Sequence, residues 1–151
     1  MKPVMPRPKP DPPHSQKAGG PPPFIQLDYL YMPCADVAKD LEYFIGVLGG
    51  EVRFAVEGMG ARVAMVRLTH GPPHVLLTDH LDGDRPILIY RVENLDAALA
   101  DLKKRGWKKG HTLEIPMGPC CSFTAPGGHR IAVYELSRPE EANHFMGRRD
   151  F

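Results

Sequence analysis

The sequence predicts an α+β protein in which two βαβββ modules form one curved mixed sheet around a cleft, with the helices on the outside. Three observations predict this. Two capped, amphipathic helices recur at corresponding places in two successive parts of the chain. Each helix follows one apolar strand and precedes three more, so the duplicated unit is β-α-β-β-β. Four strands and one helix cannot enclose a core alone, whereas two such units can curl their sheets around a shared concave space.

The first module spans residues 24–80. "FIQLDYLYM" (24–32) is an apolar strand with alternation. "ADVAKDLEYFIGVLGG" (35–50) is a helix, with Asp36 as its cap and Val37, Leu41, Phe44, Ile45 and Leu48 as its apolar stripe. Gly49 and Gly50 end it. Strands are expected over 51–57, 61–68 and 74–80.

The second module, residues 85–136, repeats the order. "RPILIYRV" (85–92) is a strand, and "NLDAALADLKKRGW" (94–107) is a helix capped by Asn94 and stopped by Gly106. Its stripe is Leu95, Ala98, Leu99 and Leu102, so Val37 corresponds to Leu95 and Leu41 to Leu99. Strands follow at 111–117, 120–126 and 129–136.

Both ends differ in character from this body. Residues 1–23 hold nine of the 17 prolines, and proline fixes φ and removes a donor, so a flexible tail is expected. A Pro-rich ligand for a partner domain is the alternative. Residues 139–151 form a C-terminal tail opened by Pro139, in which a short helix would dock Phe145, Met146 and Phe151 on the body or on a second subunit.

Composition excludes several functions. The 151 residues are 42% hydrophobic and 25% charged with a formal net charge of +1. Nucleic acid and anionic membranes need a clustered cationic excess, so neither is an expected partner. No apolar run is long enough for a membrane span, and the start "MKPVMPRPKP" has no apolar signal core, so a cytoplasmic location is expected. Cys34, Cys120 and Cys121 are an odd set without Cys-x-x-Cys spacing, which is neither a disulfide framework nor a zinc site.

Specific phrases sharpen the fold. "VENLDAALADLKKRGW", "APGGHRIAVYEL" and "YMPCADVAKDLEYFIGVLGGEV" resemble the second-module helix, the closing turn and strand, and the first-module opening of the vicinal oxygen chelate superfamily. That superfamily includes glyoxalase I, the extradiol dioxygenases and the bleomycin-resistance proteins. The resemblance covers about residues 24–138. It implies a homodimer, and in metal-using members four His, Gln or Glu ligands at matching places on the first and last strands of each module. Those places correspond here to Tyr29, Leu77, Ile87 and Ala132. Three of these side chains have no donor atom, and a phenol of pKa ~10 is a weak ligand at neutral pH. The metal site is therefore expected to be absent, as in the bleomycin-resistance branch, and no cofactor is expected.

The expected site is an aromatic-lined cleft holding a small organic ligand. Its candidate lining is Tyr29, Tyr31, Leu77, Ile87, Ala132 and Tyr134, with Trp107 and Phe123. Binding or sequestration without catalysis is the leading expectation. The alternative is a metal-dependent lyase, isomerase or dioxygenase with displaced donors among His74, Asp79, His80, His111, Glu114 and Glu135. A metal-free enzyme would need an acid–base pair, such as Tyr29 with a nearby carboxylate. The histidines are otherwise read as surface residues. The adjacent cysteines are read as small core residues pointing to opposite faces. A Cys/His nucleophile using His111 or His129 is their alternative role.

Overall fold

The structure is a computed structural model that describes Val4 and residues 20–151. Most of the Pro-rich segment 1–23 lies outside the described residues, and so does the role expected of it. The ten elements read from the sequence are present: β1 (Gln26–Pro33), α1 (Val37–Gly46), β2 (Glu51–Gly58), β3 (Ala61–Arg67), β4 (His74–Thr78), β5 (Ile87–Val92), α2 (Leu95–Lys104), β6 (His111–Ile115), β7 (Gly118–Thr124) and β8 (Arg130–Glu135). A short 3-10 helix, Pro139–His144, follows. Among the described residues no helix is long and apolar enough to cross a membrane.

Both helices start where the sequence places a cap. The Asp36 side chain accepts from the Lys39 amide at 3.1 Å, and the Asn94 side chain accepts from the Ala97 amide at 2.8 Å. Helix α1 stops at Gly46, earlier than the pattern suggests, and this leaves Leu48 exposed beyond its end.

The eight strands form one sheet in the order β2-β3-β4-β1-β5-β8-β7-β6. The modules meet where β1 and β5 pair antiparallel. On either side of that seam the first strand of each module pairs parallel with its last, β1 with β4 and β5 with β8. The two halves are thus related by an approximate two-fold.

Alternation along the strands divides the core between two faces. On the helix side, Val37 and Leu41 pack on Ala55, Ala64, Val66, Val75 and Leu77. Leu95 and Ala98 pack there on Val92, Cys121 and Val133. On the concave side, Phe54, Met65 and Leu76 gather with Tyr29 and Tyr31, and Cys120, Ala132 and Tyr134 gather with Ile87 and Ile89. The helices cover only one face, so the other is left to form a cavity.

Candidate active site

A register shift in β1 starts the site. Leu27 pairs with Tyr90 and Tyr29 with Ile89, which leaves Asp28 as an extra residue in the ladder. Such a bulge interrupts strict alternation and re-aims a side chain. Asp28 is thereby turned to the concave side, where it is 7% exposed. One carboxylate oxygen accepts from Gln26 Nε2 and the other from the Tyr134 hydroxyl. Arg91 Nε lies 3.4 Å from the second oxygen. Burial, then the hydrogen bond to Asp28, pushes the Tyr134 phenol far above its ordinary pKa. The Tyr134 ring centroid is 6.1 Å from that of Tyr29, whose own pKa is raised by burial and by the Asp28 charge.

In front of this network lies a cavity of about 530 Å³. Its walls are mostly hydrocarbon: Phe54, Met65 and Leu76 from the first module, Ile87, Ile89, Ile115 and Ala132 from the second. The polar groups reaching it include Tyr29, Tyr31, His80, Glu114 and Ser122.

Tyr31 and His80 are coupled. The Tyr31 hydroxyl and His80 Nε2 share a hydrogen bond, and their rings lie edge to face with centroids 5.7 Å apart. The end of β4 supplies the aim. The buried Thr78 hydroxyl accepts from the His80 amide at 3.3 Å, and the Asp79 carboxylate accepts from the Arg62 amide at 3.0 Å. Burial raises the Tyr31 pKa, so its phenol holds its proton at neutral pH. Glu114 is engaged elsewhere, accepting from Arg138 at 2.7 Å.

The structure brings Tyr29, Tyr31, Ile87 and Ala132 together around the cavity. Tyr134 lies behind them, its hydroxyl turned to Asp28. Leu77, Trp107 and Phe123 are corrected: they lie on the helix side of the sheet. Strand β4 is buried on both faces, so "HVLLT" carries no polar alternation to give its phase, and Leu76 is the residue that faces the cavity. Phe123 shares the phase of Cys121 and stacks edge-on with Trp107 beneath α2, centroids 5.6 Å apart. Cys120, one residue out of phase, faces the cavity with its thiol pushed up to about 11 by burial. Asp28 was missed because a bulge leaves no mark in residue alternation. Phe145 and Met146, also in the wall, lie beyond the part of the chain that the resemblance covers.

The donors do not fit a metal of the kind the resemblance implies. The four matching positions carry one phenol and three hydrocarbons. Of the six displaced donors, only His80 and Glu114 line the cavity. Asp79 is held by the Arg62 amide, and Glu135 accepts from the Leu95 amide at the start of α2. Among the described residues no three His, Cys, Asp or Glu side chains converge to hold an ion.

Two βαβββ modules closing around one cavity define the fold of the vicinal oxygen chelate superfamily, and this chain has that fold. Among solved structures it is similar to methylmalonyl-CoA epimerase from Mycobacterium tuberculosis, with a TM-score of 0.63 and 19% identity over 80% of this chain and 93% of that one. A Streptomyces coelicolor methylmalonyl-CoA epimerase variant in complex with 2-nitronate-propionyl-CoA gives a TM-score of 0.58 and 18% identity over 76% and 96% of the two chains. A hypothetical protein from Bacillus halodurans C-125 gives 0.58 and 12% over 73% and 93%. At these identities the likeness is one of fold. No protein-family model matches the chain, and no curated protein matches it in sequence.

These neighbours correct the leading functional expectation. The epimerases among them are enzymes, which weighs against a protein that only binds or sequesters a ligand.

Proposed function

We propose that this protein is an enzyme of the isomerase or lyase class that moves a proton on carbon beside a carbonyl group. Its substrate is a small organic molecule whose reacting part is mostly hydrocarbon, such as the acyl group of a thioester. The observation that carries this reading is the Tyr31–His80 hydrogen bond at the wall of a cavity lined mostly by hydrocarbon. A phenol and an imidazole joined in this way form an acid–base couple, and few competing polar groups surround them.

The chemistry follows from the positions. The Tyr29 hydroxyl, kept protonated by burial, donates a hydrogen bond to the substrate carbonyl oxygen, where negative charge builds as the carbon is deprotonated. The Tyr31 oxygen takes the carbon-bound proton as its own O–H proton passes to His80 Nε2. The reverse transfer returns a proton to carbon and restores both groups. Asp28 and Tyr134 act behind the wall as positioning residues for Tyr29. One chain supplies every residue named, so the reading does not depend on a second subunit. The epimerases of this fold act on a CoA thioester, which supports the choice of substrate class.

The test is proton exchange. The protein is incubated in D2O with methylmalonyl-CoA, with other branched acyl thioesters and with 2-oxo acids, and deuterium uptake is followed by mass spectrometry. Uptake above the buffer rate on at least one compound, lost in Tyr31→Phe, is expected. Uptake at the buffer rate on every compound would overturn the reading.

A further inference from the structure

The segment after β8 joins the two edges of the open sheet. Strands β2 and β6 are its outermost strands, and residues 137–151 run from one to the other. At the β6–β7 hairpin, Arg138 donates to the carbonyls of Pro116 and Ile115, each at 3.0 Å, and to Glu114 at 2.7 Å. The Arg138 amide donates to Met117 O at 2.9 Å. At β2, the Gly147 amide donates to Arg53 O at 2.7 Å, the Ala55 amide to Arg148 O at 2.8 Å and the Asp150 amide to Ala55 O at 2.6 Å. The Asp150 carboxylate accepts from the Glu57 amide at 2.8 Å. Phe151 packs against the helix-side core, with the Arg62 guanidinium 4.7 Å above its ring.

Between these anchors the segment crosses the mouth of the curved sheet. Ala142, Phe145 and Met146 face into the cavity there. Phe145 rests on Phe54, ring centroids 5.7 Å apart. This strap, residues 137–151, packs its Phe145 against the first-module wall.

We infer that Phe145 and Met146 are specificity-determining residues: they form the wall that limits the length of the hydrocarbon chain the cavity accepts. This deepens the proposed function, on which it rests for the choice of an acyl substrate, by restricting that substrate to short acyl groups. The physical basis is close packing: a side chain held by backbone bonds on both flanks cannot swing away at small cost, so extra methylenes meet a fixed surface.

The experiment is calorimetric titration of the full chain with straight-chain carboxylates from butyrate to dodecanoate, which needs no turnover. The wild type is expected to bind short chains and to lose affinity beyond an optimum. Phe145→Ala should move that optimum to longer chains, with a gain of about threefold to fourfold for each further methylene buried. Phe145→Trp should move it to shorter chains. Melting temperatures within a few degrees of wild type certify both folds, and Met146→Ala, at a more exposed position, gives a second variant if Phe145→Ala unfolds. An unchanged length profile in the variants, or no carboxylate bound by any of them, would overturn the inference. Failure of the proposed function appears separately, as no deuterium exchange while the length profile still shifts.

Discussion

The Tyr134 hydroxyl on β8 donates to the Asp28 carboxylate on β1, reaching across β5, which separates the two strands. Gln26, Arg91 and Tyr134 lie in one cross-strand row, and the bulge at Asp28 brings its carboxylate to that row. A carboxylate that is 7% exposed needs the Gln26 and Tyr134 donors and the Arg91 charge, because its hydration is gone.

Removing the donor tests this directly. Tyr134→Phe leaves one oxygen of a buried carboxylate without its hydroxyl, and a stability loss of about 1–3 kcal/mol is expected. Urea unfolding should show a lower midpoint with an unchanged slope. A loss under about 0.5 kcal/mol, the range of an ordinary surface substitution, would mean that water or Arg91 already serves that oxygen.

The Tyr31–His80 couple predicts non-additive kinetics. Tyr31→Phe and His80→Gln should each lower catalysed deuterium exchange by about 100-fold or more. The double variant should be little worse than either, because the pair works as one unit. Losses that multiply in the double variant would show two independent roles.

Stability should fall in alkali. Burial pushes the thiols of Cys34 and Cys120 up to about 12 and about 11 from an ordinary 9.0, and Tyr29, Tyr31 and Tyr134 are raised as well. The folded protein therefore keeps protons that the unfolded chain releases. The unfolded state binds fewer protons across this window, so stability is intact below pH 9 and falls as pH rises from there towards 12. Melting temperatures across that range check the sign. The same protonation predicts that Cys120 resists iodoacetamide at pH 8 in the folded protein and reacts once the protein is unfolded.

Trp107 is expected to be blind to the cavity. It packs under α2 against Phe123, on the far side of the sheet. A carboxylate that binds in the cavity should leave its emission maximum unchanged, and Trp107→Phe should leave the affinity unchanged. A shift in emission on binding would place ligand on the helix side.

The elements were legible because both periodicities are clean. The caps at Asp36 and Asn94, the stripes from Val37 and Leu95, and the order of strands are enough to specify the doubled unit. The cleft-facing phase of β1, Tyr29 with Tyr31, was legible for the same reason. The phase of β4 was not, since Val75, Leu76 and Leu77 are all buried. The Asp28 network needed a bulge. The Tyr31–His80 contact needed two residues 49 positions apart to meet where β4 ends, and no local pattern records such a meeting.

The strap also changes how the molecule comes apart. Without it, the modules would meet only along the β1–β5 seam and the side chains packed over it, such as Tyr134 on Asp28, and either half could fray from its own outer edge. Hydrogen bonds from the 137–151 segment to both outer strands turn an open ribbon into a closed loop of contacts. Loosening β2 then releases the turn that steadies β6, and loosening β6 releases β2. The two halves, similar in plan and different in sequence, are bound into one cooperative unit, and their amides should share a single slow opening event in place of two.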